Sequence, residues 1–287
     1  WNPNAITFAN HSIAGYYPRS VFVNTNNTIY VAHQQKGTIL VWHEESINPI
    51  EINHDNLKNP ASLFVTLNGD IFIYDTLEDK TVQKWEANTN SFITVMYVES
   101  PCSALFVVNN DTLYCSVSNN NKVVKRWLND SNLTSIITVA GTGSKGSALN
   151  ELSNPQEIFV DVNFDLYVAD SNNNRVQLFL SGESNGIIVA GANSPNPTID
   201  LNFPSGIVLD AEKNLFIVDS WNNRIVGSSS NVFRCLVGCY GHGSGSNRLY
   251  LPSSLSFDRF GNMFVVEYHN HRIQKFEYLE KSCGKLK

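Results

Sequence analysis

The sequence predicts an all-β protein built from six copies of one four-stranded unit, and three observations carry that expectation. The first is composition. Of 287 residues, 42% are hydrophobic and 11% aromatic, but only 16% are charged, well below the quarter or so usual in globular domains. Strand and turn formers fill the gap, among them 37 asparagines, while Met occurs only twice and the residues that sustain helical bundles are scarce. Enough apolar and aromatic surface is present to offset the entropy of ordering, which excludes a disordered chain. The second observation is a recurring proline: Pro18, Pro60, Pro101, Pro155, Pro204 and Pro252 stand at intervals of 42, 41, 54, 49 and 48 residues. The third is the shared pattern downstream of each proline. An apolar strand leads to a polar turn, a second strand patterned like Leu166-Tyr167-Val168-Ala169-Asp170, an Asn-rich turn and a third strand ending in an aromatic. Self-similarity at periods of roughly 40–50 residues marks a solenoid, a propeller or an array.

In chain order, the second strands are Ile29-Tyr30-Val31, Ile71-Phe72-Ile73, Leu113-Tyr114-Cys115, Leu166-Tyr167-Val168, Leu215-Phe216-Ile217 and Met263-Phe264-Val265. Third strands end at Trp42, Trp85, Trp127, Phe179 and Phe276, whereas the fifth unit departs with Gly227 and serines. Fourth strands come next at Ile50-Glu51-Ile52, Ile93-Thr94-Val95, Ile136-Ile137-Thr138-Val139, Ile187-Ile188-Val189 and Leu236-Val237. The sixth unit lacks one after Phe276. A spare strand, Ala5-Ile6-Thr7-Phe8-Ala9, precedes any first strand and reads like Ile137-Thr138-Val139-Ala140-Gly141. Four short strands per unit are the signature of a propeller blade. The expected architecture is therefore a six-bladed β-propeller with four antiparallel strands per blade. It forms a single domain over residues 1–279, its last blade closed by the N-terminal strand at about 5–9, with a C-terminal tail at 280–287. Closure of this kind leaves no unpaired seam in the ring.

Three turns share more than this pattern. Asp170-Ser171-Asn172-Asn173-Asn174-Arg175-Val176, Asp219-Ser220-Trp221-Asn222-Asn223-Arg224-Ile225 and Glu267-Tyr268-His269-Asn270-His271-Arg272-Ile273 each set an acid five residues before an arginine. These segments resemble the NHL repeat. The resemblance covers essentially the whole chain, being specific in units four to six and degraded in one to three. There His33 and Val117 replace the acid, and Thr38, Lys80 and Lys122 stand near the arginine position. The resemblance implies a β-propeller but no single activity, since such propellers include RNA-binding domains, bacterial sensor domains, secreted lyases and interaction platforms. An ion pair present three times is expected to be structural, because catalysis would not need three copies. His271, on the motif's own histidine position, is expected to be structural as well.

The main enzymatic alternative is a metal-dependent propeller resembling peptidyl-hydroxyglycine lyase or a lactonase. Resemblance to the lyase implies zinc held by several imidazoles that directly follow the blade prolines. Here those positions are Arg19, Ala61, Cys102, Gln156, Ser205 and Ser253, and the next ones are Ser20, Ser62, Ser103, Glu157, Gly206 and Ser254. One carboxylate is also too few for the oxygen-rich calcium site of a lactonase. The expectation is a non-enzymatic chain without a catalytic residue, metal or cofactor. The seven histidines are scattered over turns and strand ends. Gly141-Thr142-Gly143-Ser144-Lys145-Gly146 comes after an outer strand and opens no helix, so it fails as a phosphate loop; it and Gly241-His242-Gly243-Ser244-Gly245-Ser246 are expected to be flexible connections between blades. A second alternative, an RNA-binding NHL domain, needs a basic face. The net charge is −6, and the densest basic cluster, Lys122, Lys125 and Arg126, lies on a third strand, so no nucleic-acid partner is expected.

No run of eighteen apolar residues occurs, so no membrane span is expected. The chain begins at Trp1 rather than Met, which is expected of a processed product or a trimmed chain. Five sequons, at Asn10, Asn26, Asn110, Asn129 and Asn132, match the number this composition produces by chance, but four of them fall in turns of one propeller rim. Cys102 and Cys115 lie on neighbouring strands, and Cys235 and Cys239 flank a stretch that Gly238 can bend; either disulfides or buried thiols satisfy these positions. Cys283 is left over in the tail, free or paired with another chain. Secretion is the resulting expectation. The opposite rim carries the candidate binding residues: Trp221, Tyr268 and His269 in second-to-third strand turns, with Arg19, Tyr17 and His33 in blade one. Large aromatics at turn tips are enriched in interface hot spots. The expected role is an extracellular binding or assembly module for a protein or glycan partner, self-assembly through Cys283 or a propeller face included.

Overall fold

In the computed structural model, residues 1–55, 57–77, 80–109, 111–194, 199–229 and 232–279 are described. They form six antiparallel sheets of four strands each, ordered outward from the inner strand along the chain. Blade four shows the unit: inner strand Pro155–Val160, second Leu166–Asp170, third Arg175–Phe179 and outer Ile187–Gly191. Each blade is sandwiched between two others, so its central strands are dry on both faces and read as continuous apolar runs rather than alternating ones. In blade six all five residues of Met263–Glu267 are buried. One apolar cluster fills each of the six blade junctions.

The ring closes through its N-terminal strand. Ile6–Ala9 pairs antiparallel with Arg272–Phe276 as the outer strand of blade six. Phe8 meets Trp42 of blade one at 5.1 Å and Phe264 of blade six at 5.2 Å between ring centroids. Trp1 turns under the same blade, donating from Nε1 to the Gly261 carbonyl at 2.7 Å and packing edge-on to Phe216 and Tyr278. The tail at 280–287, with Cys283, lies outside the described residues.

The acid–arginine pairs are interblade clamps. Arg175 Nε donates to Asp170 Oδ2 at 2.8 Å, and its two terminal nitrogens donate to the carbonyls of Ser147, Ala148 and Glu151. The other Asp170 oxygen accepts the amide of Ser153. Arg272 repeats the arrangement with Glu267 and the carbonyls of Ser244 and Gly245, while Arg224 pairs with Asp219 and donates to the Asp200 carbonyl. The glycine-rich connection at 241–246, expected to be flexible, is held by Arg272 at Ser244 and Gly245 and by Asn270 at Gly243. The one at 141–146 is held at its end, where Asn173 reaches the Gly146 carbonyl and Arg175 grips the residues that follow.

Two disulfides are present. Cys102–Cys115 ties the inner and second strands of blade three, with Cα atoms 5.4 Å apart. Cys235–Cys239 crosses the end of the blade-five outer strand at 6.0 Å. Gly238 makes that short loop possible: its φ is +75°, and a Cβ there would sit 2.5 Å from the Asn223 carbonyl oxygen. No helix is long and apolar enough to cross a membrane among the described residues.

Candidate functional site

A second repeated device shapes the upper rim, which carries the second-to-third strand turns and the connections between blades. Each Asn-rich turn ends in a left-handed residue, at Asn121, Asn174, Asn223 and His271. Its side chain accepts the backbone N–H of the residue before the next blade's proline: Asn154, Phe203, Leu251 and Tyr17 respectively. Those four acceptors hold the pre-proline residues themselves at positive φ, a conformation costly for bulky side chains unless fixed by such a bond. In this way His271 takes a structural role with its ring nitrogen where the other blades use an amide oxygen. The same bonds set Tyr17 and Phe203 beside the turn residues Tyr268 and Trp221.

Five of the six sequence-derived binding residues meet on this rim. Trp221 stacks on Phe203 with centroids 5.1 Å apart and planes 9° apart, yet remains 58% exposed. Tyr268 lies 5.0 Å from Tyr17, and the Arg19 guanidinium sits over the Tyr268 ring at 5.6 Å. His269 lies 5.0 Å from Tyr250. The rings run on without a gap: His242, Tyr250, His269, Tyr268, Tyr17, His271, Tyr16 and His11 succeed one another at 4.5–5.5 Å across the junction of blades six and one. Sequence reasoning missed Phe203, Tyr250 and Tyr16, which lie in blade connections outside the strand pattern. The signal available for them was their place just before a blade proline or one residue from it.

His33 is placed differently. It is buried, its Nδ1 accepts the Lys36 amide, and it caps the turn from the acid's position in blade one. Burial pushes its imidazole below the usual range. It offers no surface on the rim, because this position points into the blade in every unit.

The aromatic rim borders a cavity of about 360 Å³ at the mouth of the central channel, whose lining includes Arg19, Phe203, Trp221, Tyr268 and Glu157. A lower cavity of about 830 Å³ continues the channel past Phe64, Phe106 and Phe159. Burial pushes the Glu157 carboxyl up to about 8, opposed by a hydrogen bond from the Ile158 amide. A carboxyl raised from 4.5 in the unfolded chain favours the fold fully below that pH, and the contribution is lost as pH rises through about 8. Stability is thus expected to decline across this window by on the order of 2 kcal/mol, channel water being allowed for. Urea midpoints measured from pH 4.5 to 8.5 should fall more steeply in the wild type than in Glu157→Gln; parallel profiles would refute the assignment.

Among the described residues, no three His, Cys, Asp or Glu side chains are gathered to hold a metal. The basic cluster on the blade-three third strand is engaged within the fold. Arg126 is 1% exposed and donates to the carbonyls of Asp130 and Asn132, Lys122 pairs with Glu99, and Lys125 lies over Trp127. Of the sequon asparagines, Asn26, Asn129 and Asn132 are exposed in turns of the lower rim, and Asn10 is exposed where it caps the short helix His11–Ala14. Asn110 lies outside the described residues.

No protein-family model matches the sequence, and no curated protein matches it. Solved structures do. A protein of unknown function from Bacteroides thetaiotaomicron superposes with a TM-score of 0.74 at 15% identity, over 96% of this chain and 75% of that one. A streptogramin B lyase gives 0.64 at 16%, over 94% and 96%, and a chain of a nidogen/laminin complex gives 0.59 at 15%, over 90% and 92%. At these identities the likeness establishes the six-bladed propeller fold.

Proposed function

We propose that this chain is an NHL-type propeller acting as a non-enzymatic extracellular binding module, which presents its upper rim to a protein or glycan partner. The observation that carries this reading is the uninterrupted run of aromatic and histidine rings on the upper rim, which meets the channel mouth at Tyr268 beside the Phe203–Trp221 stack and Arg19. Exposed rings pre-organised by backbone bonds lose little freedom on binding, and Tyr, Trp and Arg dominate interface energetics. The NHL assignment is supported by the three acid–arginine clamps. Two disulfides favour an oxidising compartment, and glycans on the exposed lower-rim asparagines would leave the upper rim free. A chain of similar fold occurs in a nidogen/laminin complex, which supports a protein partner.

The test is a paired one. Crosslinking and glycan-array screening of the secreted chain should identify a partner, and Trp221→Ala with Tyr268→Ala is expected to weaken that contact about 30- to 1,000-fold, roughly 1–2 kcal/mol per hot-spot ring. Unchanged affinity in the double variant would remove the rim as the site. Stoichiometric zinc or calcium in the purified protein, with turnover, would favour the lyase or lactonase alternative instead.

A further inference from the structure

We propose that the central channel binds a lipophilic quaternary ammonium ion, its head held at Glu157 and its alkyl chain lying along an arc of phenylalanines. This site lies below the rim, with which it shares the mouth cavity, and does not depend on the rim having a partner. Phe22, Phe64, Phe106 and Phe159 occupy one level of the inner strands in blades one to four, with successive centroids 5.1, 4.9 and 5.1 Å apart. All four are half-buried, their remaining surface facing the channel. Val208 and Ser256 stand at the same level in blades five and six, so the arc of phenylalanines is one-sided. Glu157 lies above the arc and lines both the mouth cavity and the lower cavity. It therefore marks the point where an apolar tail below and a polar head above would meet.

The chemistry of the channel selects the head group. The Ile158 amide is the group that opposes the upward push on Glu157, which stands in no ion pair among the described residues. An uncompensated carboxylate beside aromatic walls is costly, and the free protein relieves that cost by holding a proton. A cation relieves it instead. Below Glu157 the channel offers the rings of the four phenylalanines. A quaternary ammonium brings charge without donors and is attracted to aromatic faces. The lower cavity, about 830 Å³, falls within the range of small-molecule sites.

Other charges around the channel have their own partners. Arg19 at the mouth lies over Tyr268, Asp210 and Asp258 at the lower end accept amides of their own turns, and Arg259 pairs with Glu44. The amino group of Trp1 is carried by a residue lining the lower cavity. Among these groups, the pH response of ammonium binding is assigned to Glu157, whose proton the cation displaces.

Titration calorimetry with n-octyltrimethylammonium, which does not itself titrate, tests the proposal, with 1-octanol and n-octyl sulfate as comparison probes. Saturable one-to-one binding is expected, about tenfold tighter at pH 9 than at pH 7 because a carboxyl near pH 8 goes from about one-tenth to nine-tenths ionised. In Glu157→Gln, which preserves shape, affinity at pH 9 should fall at least tenfold and the pH slope should vanish, while octanol binding stays unchanged. Phe106→Ala should weaken both octanol and the ammonium ion. No saturable ammonium binding at pH 9, equal binding to Glu157→Gln, or octyl sulfate binding as tightly as the ammonium ion would each overturn the proposal.

Discussion

Deletion of residues 1–9 is expected to abolish the stable monomeric propeller. The segment supplies the outer strand of blade six, and its loss leaves Arg272–Phe276 as an open edge while baring one face of the blade-six and blade-one junction. Two aromatics go with it. Phe8 fills the space between Trp42 and Phe264, and Trp1 is held under the blade by its bond to Gly261 and its contacts with Phe216, Phe257 and Tyr278. Removing a single large buried aromatic typically costs about 3–5 kcal/mol, and a whole domain is stable by only about 5–15 kcal/mol. The truncated chain should melt at least 15 °C lower in circular dichroism or form oligomers through the bared edge in size-exclusion chromatography. A synthetic peptide of residues 1–9 added in trans should restore the monomer. An unshifted melting temperature in a monomeric truncated chain would show that blade six stands without its closing strand.

Replacing Arg175 by alanine is expected to cost about 3–5 kcal/mol, the usual penalty for removing one partner of a buried ion pair. Arg175 is 1% exposed and Asp170 is fully buried. Burial pushes the Asp170 carboxyl up, opposed by bonds from Asn173, Ser153 and Arg175. Without the guanidinium, the Ser147 carbonyl loses its donor as well, while those of Ala148 and Glu151 keep only the Glu151 amide and Gln177 respectively. Arg175→Lys should recover only part of the loss, since a single ammonium cannot span three carbonyls and a carboxylate. Arg224→Ala should cost less, because that side chain is partly exposed and holds one carbonyl rather than three. Equilibrium denaturation orders the three variants. Equal midpoints for Arg175→Ala and Arg224→Ala would refute the burial argument, and the unchanged wild-type midpoint in Arg175→Ala would refute the clamp itself.

The closing strand was legible in the sequence because Ile6–Ala9 repeats the pattern of other outer strands while the sixth unit lacks one, and strand periodicity is a local property. The clamps were legible as pairs at fixed spacing. Their grip on residues 147–151 and 244–248 was not, since nothing local says which carbonyls a guanidinium will meet, and the connections around them therefore read as flexible. His33 stood at a turn and read as exposed, yet its side chain folds under its own turn to cap it. The disulfides were open in sequence because neighbouring strands bring cysteines near without fixing their pairing.

At the rim, Trp221, Tyr268 and His269 were visible because they replace small polar residues in a repeated turn. Phe203, Tyr250 and Tyr16 were invisible because connections between blades carry no period. Glu157 was counted as one carboxylate too few for a metal. Its meaning as the acid where the mouth cavity meets the aromatic channel arose only when six inner strands converged around it. By itself the sequence determined the repeat, the strand order, the closure and the low charge, all of which come from periodic local patterning. Only the tertiary structure decided which rings touch, which loops are held and what lines the channel, because those contacts join residues from different blades, and the distance between them is set by closing the ring.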